Sequence, residues 1–457
     1  MTNSDKEYWF AESYFKHNKP EKRTSDMSDM NEYFDTVIVG TGAAGLYCAL
    51  NLPERMKILL ITKKKADESD SFLAQGGICM LCGESDYESY MEDTMHAGHY
   101  ENDVKAVDLM IRSSNSIIRD LLLRGVRFTR HPDGSLAFTR EGAHSRPRIL
   151  FHEDITGKEI TQTLLNEAKT KDNITLREDT VMLDIITDSD ACGGIVAAGP
   201  DGEPYTIGAA SVVLACGGIG GLYKNSTNYS HITGDALAIA MRHNVAVEHL
   251  DYIQIHPTTL FSKKPGRRFL ISESVRGEGA LLYDKNGARF TNELQPRDVL
   301  SGIISEQMEK DGTEYVLEDM RPIGEETIRK HFPNILARCA EEGYDALHEP
   351  IPVVPAQHYF MGGIKADLSG RTNLPGLYAC GETSCSGVHG RNRLASNSLL
   401  ESLVFAQRAA DDILFGDKKQ FNGKAPELTV YREQEPLLDA YRSEVLSAIE
   451  RMKASHE

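Results

Sequence analysis

The sequence predicts an α/β fold in which one domain is interrupted by a second and then resumed. Three observations carry this. An apolar run, Thr36-Val-Ile-Val39, leads into Gly40-x-Gly42-x-x-Gly45 and then into a helical pattern with Leu46, Ala49, Leu50 and Leu52. A buried-strand pattern ending in glycines, Ser211-Val-Val-Leu-Ala-Cys-Gly217-Gly218, lies far along the chain. The same design returns as Gly376-Leu-Tyr-Ala-Cys-Gly381-Glu382. Two such segments, both suited to one nucleotide site, imply a discontinuous Rossmann-like domain with the residues between them inserted.

Taken in order, Met1 to Glu32 is polar and charged and lacks the apolar core of a signal peptide. Residues 1–34 therefore read as an N-terminal extension, with Met27 or Met30 as alternative starts. Residues 36–62 read β-α-β. Gly40 permits the tight turn, Gly42 admits a pyrophosphate, and Gly45 lets the helix pack on the strand; the phosphates face the helix N-terminus, where free N–H groups favour negative charge. The motif alone is weak, but a strand precedes it and a helix follows it, which is the confirming context. The second strand, Lys57 to Thr62, ends in Lys63-Lys64-Lys65, where an NAD site usually carries an acid. NADP, a flavin held in another way and a solvated charge run all stay open on this point.

Val104, Val107, Met110, Ile111, Ile117, Ile118, Leu121 and Leu122 fall near one face of a helix over 103–125. Leu150 to Lys171 reads as another helix, and Ile174–Arg177 and Val181–Ile186 as strands. Gly193–Ala198 and Tyr205–Ile207 form a hairpin, followed by the separate buried strand at Ser211. A polar stretch from Gly416 to Gly423 leads to one amphipathic helix with Leu438, Tyr441, Val445, Ile449 and Met452 on one face. This helical stub ends the chain, and its apolar stripe is exposed and available to another subunit.

At 457 residues the chain suits roughly two to three domains. A net charge of −18 argues against a nucleic-acid surface. No window approaches the roughly 18 apolar residues of a membrane span. Eight scattered cysteines in a signal-free chain suggest reduced thiols and a cytoplasmic location. Cys79-Met-Leu-Cys82 lacks two further ligands at sensible spacing, so it reads as small apolar filler, and no metal site is expected.

Candidate chemistry gathers in the inserted stretch and its flanks: His256-Pro-Thr-Thr, Ser272-Glu273-Ser-Val-Arg276, Gln295-Pro-Arg297-Asp298, His358-Tyr-Phe-Met-Gly-Gly363 and Gly390-Arg-Asn-Arg393-Leu-Ala-Ser-Asn-Ser398-Leu399. His and Arg in Pro- and Gly-marked turns suit a small dianion, because guanidinium forks match carboxylates and imidazoles add hydrogen bonds. Each alone has a bland reading; Arg297-Asp298, for example, reads as a local ion pair.

Together with Ala74-Gln-Gly-Gly77, Thr139-Arg-Glu-Gly142, Arg276-Gly-Glu-Gly279, Pro296-Arg-Asp298 and Arg393-Leu-Ala-Ser-Asn-Ser-Leu-Leu400, these motifs stand in one order. In that order they resemble the succinate dehydrogenase/fumarate reductase flavoprotein family over about residues 35–415. The resemblance implies a Rossmann-like FAD-binding domain at 35–249 and 360–423, an inserted α+β capping domain at 250–359, and a short C-terminal stub at 424–457 in place of the longer helical domain of other members. Gly40, Thr41, Gly42, Ala43, Ala44 and Gly45 are expected at the pyrophosphate. Lys63, Asp235, Glu382, Ser398 and Leu399 are expected as further FAD contacts, as is the segment Asp70, Ser71, Phe72, Leu73, Ala74, Gln75, Gly76 and Gly77. The segment from Ser396 reads as a helix start whose N-terminus faces the isoalloxazine. Membrane-complex members carry a His where this chain has Asp70, so the FAD is expected to be non-covalent.

His256, Ser272, Glu273, Arg297, His358 and Arg393 occupy places shared by dicarboxylate oxidoreductases. Arg393 and His358 are expected to grip one carboxylate, and His256 with Ser272 the other; Arg297 is the family's proton-transfer residue. Glu141 points to the aspartate-oxidising branch, because a carboxylate can face an ammonium where succinate and fumarate present only CH groups. The implied reaction is hydride transfer from Cα of L-aspartate to flavin N5, with oxygen or fumarate reoxidising the flavin. It is the first step toward quinolinate and NAD, with a possible link to a quinolinate synthase. A soluble fumarate reductase is the alternative; a membrane-docked flavoprotein subunit is disfavoured by Asp70.

Overall fold

A computed structural model describes residues 30–456 apart from 189, 265 and 417–420. The expected starts at Met1 and Met27 lie outside the described residues. The first strand, Glu32–Val39, begins inside the stretch that charge assigns to the extension. It is held there by parallel pairing, Glu32 opposite Ile207 and Tyr33 opposite Gly208.

The main sheet has seven strands. In order they are 174–177, 58–61, 32–39, 204–214, 192–198 and 181–187, with 377–379 pairing 204–214. The strands from 174–177 to 204–214 run parallel; 192–198 and 181–187 are antiparallel. Ile58–Ile61 is buried along its whole length, as a parallel strand covered on both faces must be.

One strand, Pro204–Leu214, replaces the two elements expected there. Its first half closes the hairpin, Ala198 opposite Pro204, and its second half pairs with Leu377–Ala379 in parallel register. Residues more than 160 positions apart are thus joined within one sheet, Leu377 lying opposite Val212.

The helix expected from Leu150 starts later, at Thr156. Ile149–Leu150 is instead a short strand paired with Ile78–Cys79 and Phe138–Thr139. The helix Val104–Leu123 is capped by Asp103, whose carboxylate accepts from the N–H groups of Lys105 and Ala106; of the apolar face read from the sequence it buries Val107, Met110, Ile111, Ile117, Ile118 and Leu121, while Leu122 is partly buried and Val104, in the first turn, is exposed.

A second, antiparallel sheet of five strands is built from residues 253–360, in the order 269–270, 253–260, 351–360, 316–319 and 281–283. The helix Arg297–Asp311 packs on it and buries Leu300 and Ile304. Register shifts at Gln254/Ile255 and His256/Thr259 break the pairing of 253–260 with 351–360. Such bulges re-aim side chains, here next to His256 and His358.

The C-terminal helix, Gln434–His456, does not present a bare stripe. Leu438, Tyr441, Val445 and Ile449 are buried against Leu237 and Ile239 of the helix Asp235–Arg242 and against the main sheet. The Tyr441 hydroxyl donates to the Leu183 carbonyl at 2.7 Å. The expectation of an exposed face fails because the helix Asp235–Arg242 carries an apolar surface of its own that this stub covers. Phe421, just before the stub, docks against Leu183 and Val196. No helix among the described residues is long and apolar enough to cross a membrane.

Candidate active site

One continuous cavity runs from the glycine turn to the His/Arg cluster. Gly40, Thr41, Gly42 and Ala44 line it at one end; His256, Ser272, Glu273, Arg297, His358, Arg393 and Glu141 line it at the other. Lys63, Asp70, Ser71, Leu73, Ala74, Gln75, Gly76, Gly77, Asp235, Glu382, Ser398 and Leu399 lie between. Three expected contacts do not line it. Ala43 is wholly buried and its N–H donates to Ser71 Oγ. Gly45 faces the turn, and Phe72 packs on the hydrophobic core.

The turn is built so that only glycine fits. A Cβ on Gly40, which has φ +116°, would lie 2.0 Å from the Ala215 carbonyl oxygen. A Cβ on Gly45 would lie 2.0 Å from the Gly40 carbonyl oxygen. Gly42 offers no side-chain cap to the helix Ala43–Asn51; apart from the Ala43 N–H, which Ser71 Oγ takes, the first-turn N–H groups are open to phosphate. Lys63, by contrast, spends its ammonium on protein, donating to Asp235, to Thr233 Oγ1 (3.1 Å) and to the His231 carbonyl (3.0 Å).

Two carboxyls midway along the cavity have raised pKa values. Burial pushes Asp70 up to about 7, although it accepts a hydrogen bond from the Tyr229 N–H; its Oδ2 has no partner. Burial, reinforced by Asp70, pushes Glu382 up to about 8. Glu382 accepts from the Phe360 N–H at 2.9 Å. A dinucleotide with an uncharged polar ring system suits this arrangement: amides face phosphate at one end, and buried polar atoms without partners, Ser69 Oγ, Asp70 Oδ2 and Gln75 Oε1, lie along the lining. The residues present therefore fit FAD.

At the far end the sequence-remote candidates meet. His256 and His358 lie edge to face, ring centroids 5.1 Å apart. Burial, then the charge of Arg297, hold His256 well below its usual range; burial, then Arg393, do the same for His358. Both are thereby biased toward the neutral imidazole. Nδ1 of His256 sits against the Thr258 backbone, and Nε2 has no protein partner among the described residues. Nδ1 of His358 lies 2.7 Å from Thr227 Oγ1. Ser272 N-caps the short helix Glu273–Gly277, accepting from the Ser274 N–H.

Arg297 does not pair with Asp298, which instead meets His99 at 3.0 Å. It donates Nε to Glu273 at 2.5 Å and Nη1 to Gln254 Oε1 at 2.8 Å. Burial alone would raise the pKa of Glu273, but Arg297 and Arg276 outweigh it and keep the carboxylate ionised. Gln254 was not foreseen; its Nε2 donates to the Arg393 carbonyl and to Asn392 Oδ1, tying the Arg297 fork to the 390–396 loop. No sequence pattern marks it.

Glu141 pairs with neither Arg140 nor Arg146. It is 4% exposed and accepts from Ser274 Oγ at 2.8 Å and from Ser396 Oγ at 2.6 Å. Burial, then the charge of Glu273, raise its pKa. Ser396 and Ala143, which flank this contact, both have left-handed backbones (φ +62° and +64°). Such conformations cost roughly 1–3 kcal/mol each and persist where the surroundings enforce them. Gly76 and Gly142 leave the room: a Cβ on Gly76 would meet Glu141 Oε1 at 2.6 Å, and one on Gly142 would meet Glu273 Oε1 at 2.3 Å.

The family model for an FAD binding domain matches residues 35–399. An L-aspartate oxidase of Clostridium perfringens is 50% identical over 385 residues, 84% of this chain and 87% of that protein. One of Clostridium acetobutylicum is 46% identical over 84% of this chain and 88% of that protein. The chain belongs to the L-aspartate oxidase family. Among solved structures, a variant of E. coli quinol fumarate reductase is similar at 31% identity and a TM-score of 0.79, over 91% of this chain and 74% of that one. Family membership agrees with the fit of the cavity: FAD is the cofactor of this chain.

Proposed function

We propose that this chain oxidises L-aspartate to iminoaspartate, with the residues at the far end of the cavity in named roles. FAD, when bound, supplies the acceptor for the hydride of Cα. Arg393 and His358 hold one substrate carboxylate, and His256 with Ser272 the other. Nε2 of His256 has no protein partner among the described residues; it donates to that carboxylate in the tautomer whose Nδ1 accepts the Thr258 N–H at 3.2 Å, the other tautomer donating Nδ1–H to the Thr258 carbonyl at 2.9 Å.

Glu141 is the observation that carries the choice of substrate. A buried carboxylate whose two oxygens are both fixed by serine hydroxyls is poised for the substrate ammonium, and the ammonium's charge would lower its raised pKa on binding. Arg297, clamped by Glu273 and Gln254, is assigned to proton transfer: its Nε–H passes to the ionised Glu273 carboxylate as the guanidine takes up the proton that must leave when the C=N bond forms. Reoxidation by oxygen or fumarate completes the cycle.

We further assign residues 250–359 as the cap and place the chain in the cytoplasm. All eight cysteines are unbridged, which suits a reducing compartment. Iminoaspartate is an unstable imine, and a quinolinate synthase is the kind of enzyme that would consume it. Glu141→Gln tests the reading. It should abolish the preference for L-aspartate over succinate as reductant of the bound flavin; an unchanged preference would overturn the role of Glu141 as the ammonium partner.

A further inference from the structure

Arg393 is 6% exposed, and no carboxylate is ion-paired to it among the described residues. Its Nε has no partner, and burial, then Arg297, lower its pKa to about 10. A buried guanidinium left in that state needs compensation from elsewhere.

The compensation lies behind it. The Arg393 guanidinium carbon sits 4.0 Å from the centroid of the Tyr359 ring. The Tyr359 hydroxyl donates to Glu401 Oε2 at 3.0 Å. Glu401, on the helix Asn397–Phe415, is 2% exposed and also takes the Ser386 hydroxyl at 2.5 Å and His389 Nε2 at 3.0 Å. Burial alone would raise the pKa of Glu401, but His389 and these donors hold it below the usual range. The His389 ring stands edge-on to Tyr359, centroids 5.4 Å apart.

A direct Glu401–Arg393 salt bridge would consume the guanidinium fork. Interposing an aromatic face stabilises the cation while leaving its in-plane N–H groups uncommitted. The ionised Glu401 orients the ring through the phenol and adds negative potential behind it. We propose that Tyr359, Glu401 and His389 form a positioning relay that keeps the Arg393 fork aimed and unspent for a substrate carboxylate. The proposal rests on Arg393 as a carboxylate grip.

The test uses FAD-loaded enzyme and malonate, a dicarboxylate with no oxidisable C–C bond, its Kd read from the absorbance of the bound flavin. Tyr359→Phe and Glu401→Gln should each weaken malonate about 10-fold and raise KM for L-aspartate by a similar factor, with kcat within about twofold. Arg393→Lys should weaken malonate at least as much, and adding Tyr359→Phe to it should cost little more, because the two act as a unit. If Tyr359→Phe and Glu401→Gln bind malonate like the wild type while Arg393→Lys does not, the relay is wrong and the carboxylate grip stands. If Arg393→Lys also binds like the wild type, the grip itself is wrong. If Glu401→Gln fails to load FAD, Tyr359→Phe decides, since it removes one hydroxyl and keeps the ring.

Discussion

Ser396 Oγ donates to Glu141 Oε2 at 2.6 Å across 255 residues of chain. The serine sits at the start of the helix Asn397–Phe415 with a left-handed backbone, and its hydroxyl serves the carboxylate rather than capping the helix. This contact joins the 139–146 loop to the edge of the flavin domain. His144 seconds it: Nε2 lies 3.0 Å from the Ala395 carbonyl, and Nδ1 is held by the buried Arg148.

Glu141→Gln keeps the shape and removes the charge. A hydrogen bond to a charged group contributes about 1.5–3 kcal/mol, so kcat/KM for L-aspartate should fall roughly 10- to 150-fold. Fumarate reduction should be preserved. Ser396→Ala should show a smaller loss in the same direction. Parallel assays of both variants with both substrates check this.

Arg297→Lys retains a cation but cannot reach Glu273 and Gln254 with the same fork. We expect kcat to fall by about 100-fold or more, in the range of a lost general acid–base group, with FAD content unchanged. Steady-state kinetics beside the flavin-to-protein absorbance ratio would show it; a loss confined to KM would contradict the role.

The positions of these groups were unequally legible in the sequence. The glycine turn could be read because its geometry depends on local spacing alone. His256, His358, Arg297 and Arg393 could be named from ordered motifs, but their meeting depends on the bulged register of 253–260 against 351–360, which no local pattern encodes. Gln254 and Ser274 went unnoticed for the same reason: their partners are set by tertiary register. The exposed stripe on the C-terminal helix was misread because periodicity tells which face is apolar, never what lies against it. The strand Pro204–Leu214 looked like two elements because its halves have different neighbours, a hairpin first and a parallel strand afterwards.

Stability of the cofactor-free protein should depend on pH through Glu382. Its folded pKa of about 8 stands above the ordinary 4.5. The folded state therefore binds the extra proton between these values, and stability falls as pH rises through that window. Glu382→Gln should remove part of this slope. Tm measured from pH 5 to 9 should show the variant gaining on the wild type as pH rises, and levelling above about 8.

Tyr441→Ala should cost roughly 3–5 kcal/mol, as for other large buried aromatics, and lower Tm without touching KM. Tyr441→Phe, which loses only the bond to the Leu183 carbonyl, should cost about 1 kcal/mol. Chemical denaturation of both variants checks the claim that the C-terminal helix belongs to the core.

The most direct measurement is anaerobic reduction of the bound flavin, followed near 450 nm, with L-aspartate and succinate in separate cuvettes. The account predicts fast bleaching by L-aspartate and none of comparable rate by succinate. Bleaching by succinate alone would contradict it and reassign the buried Glu141 to a structural role.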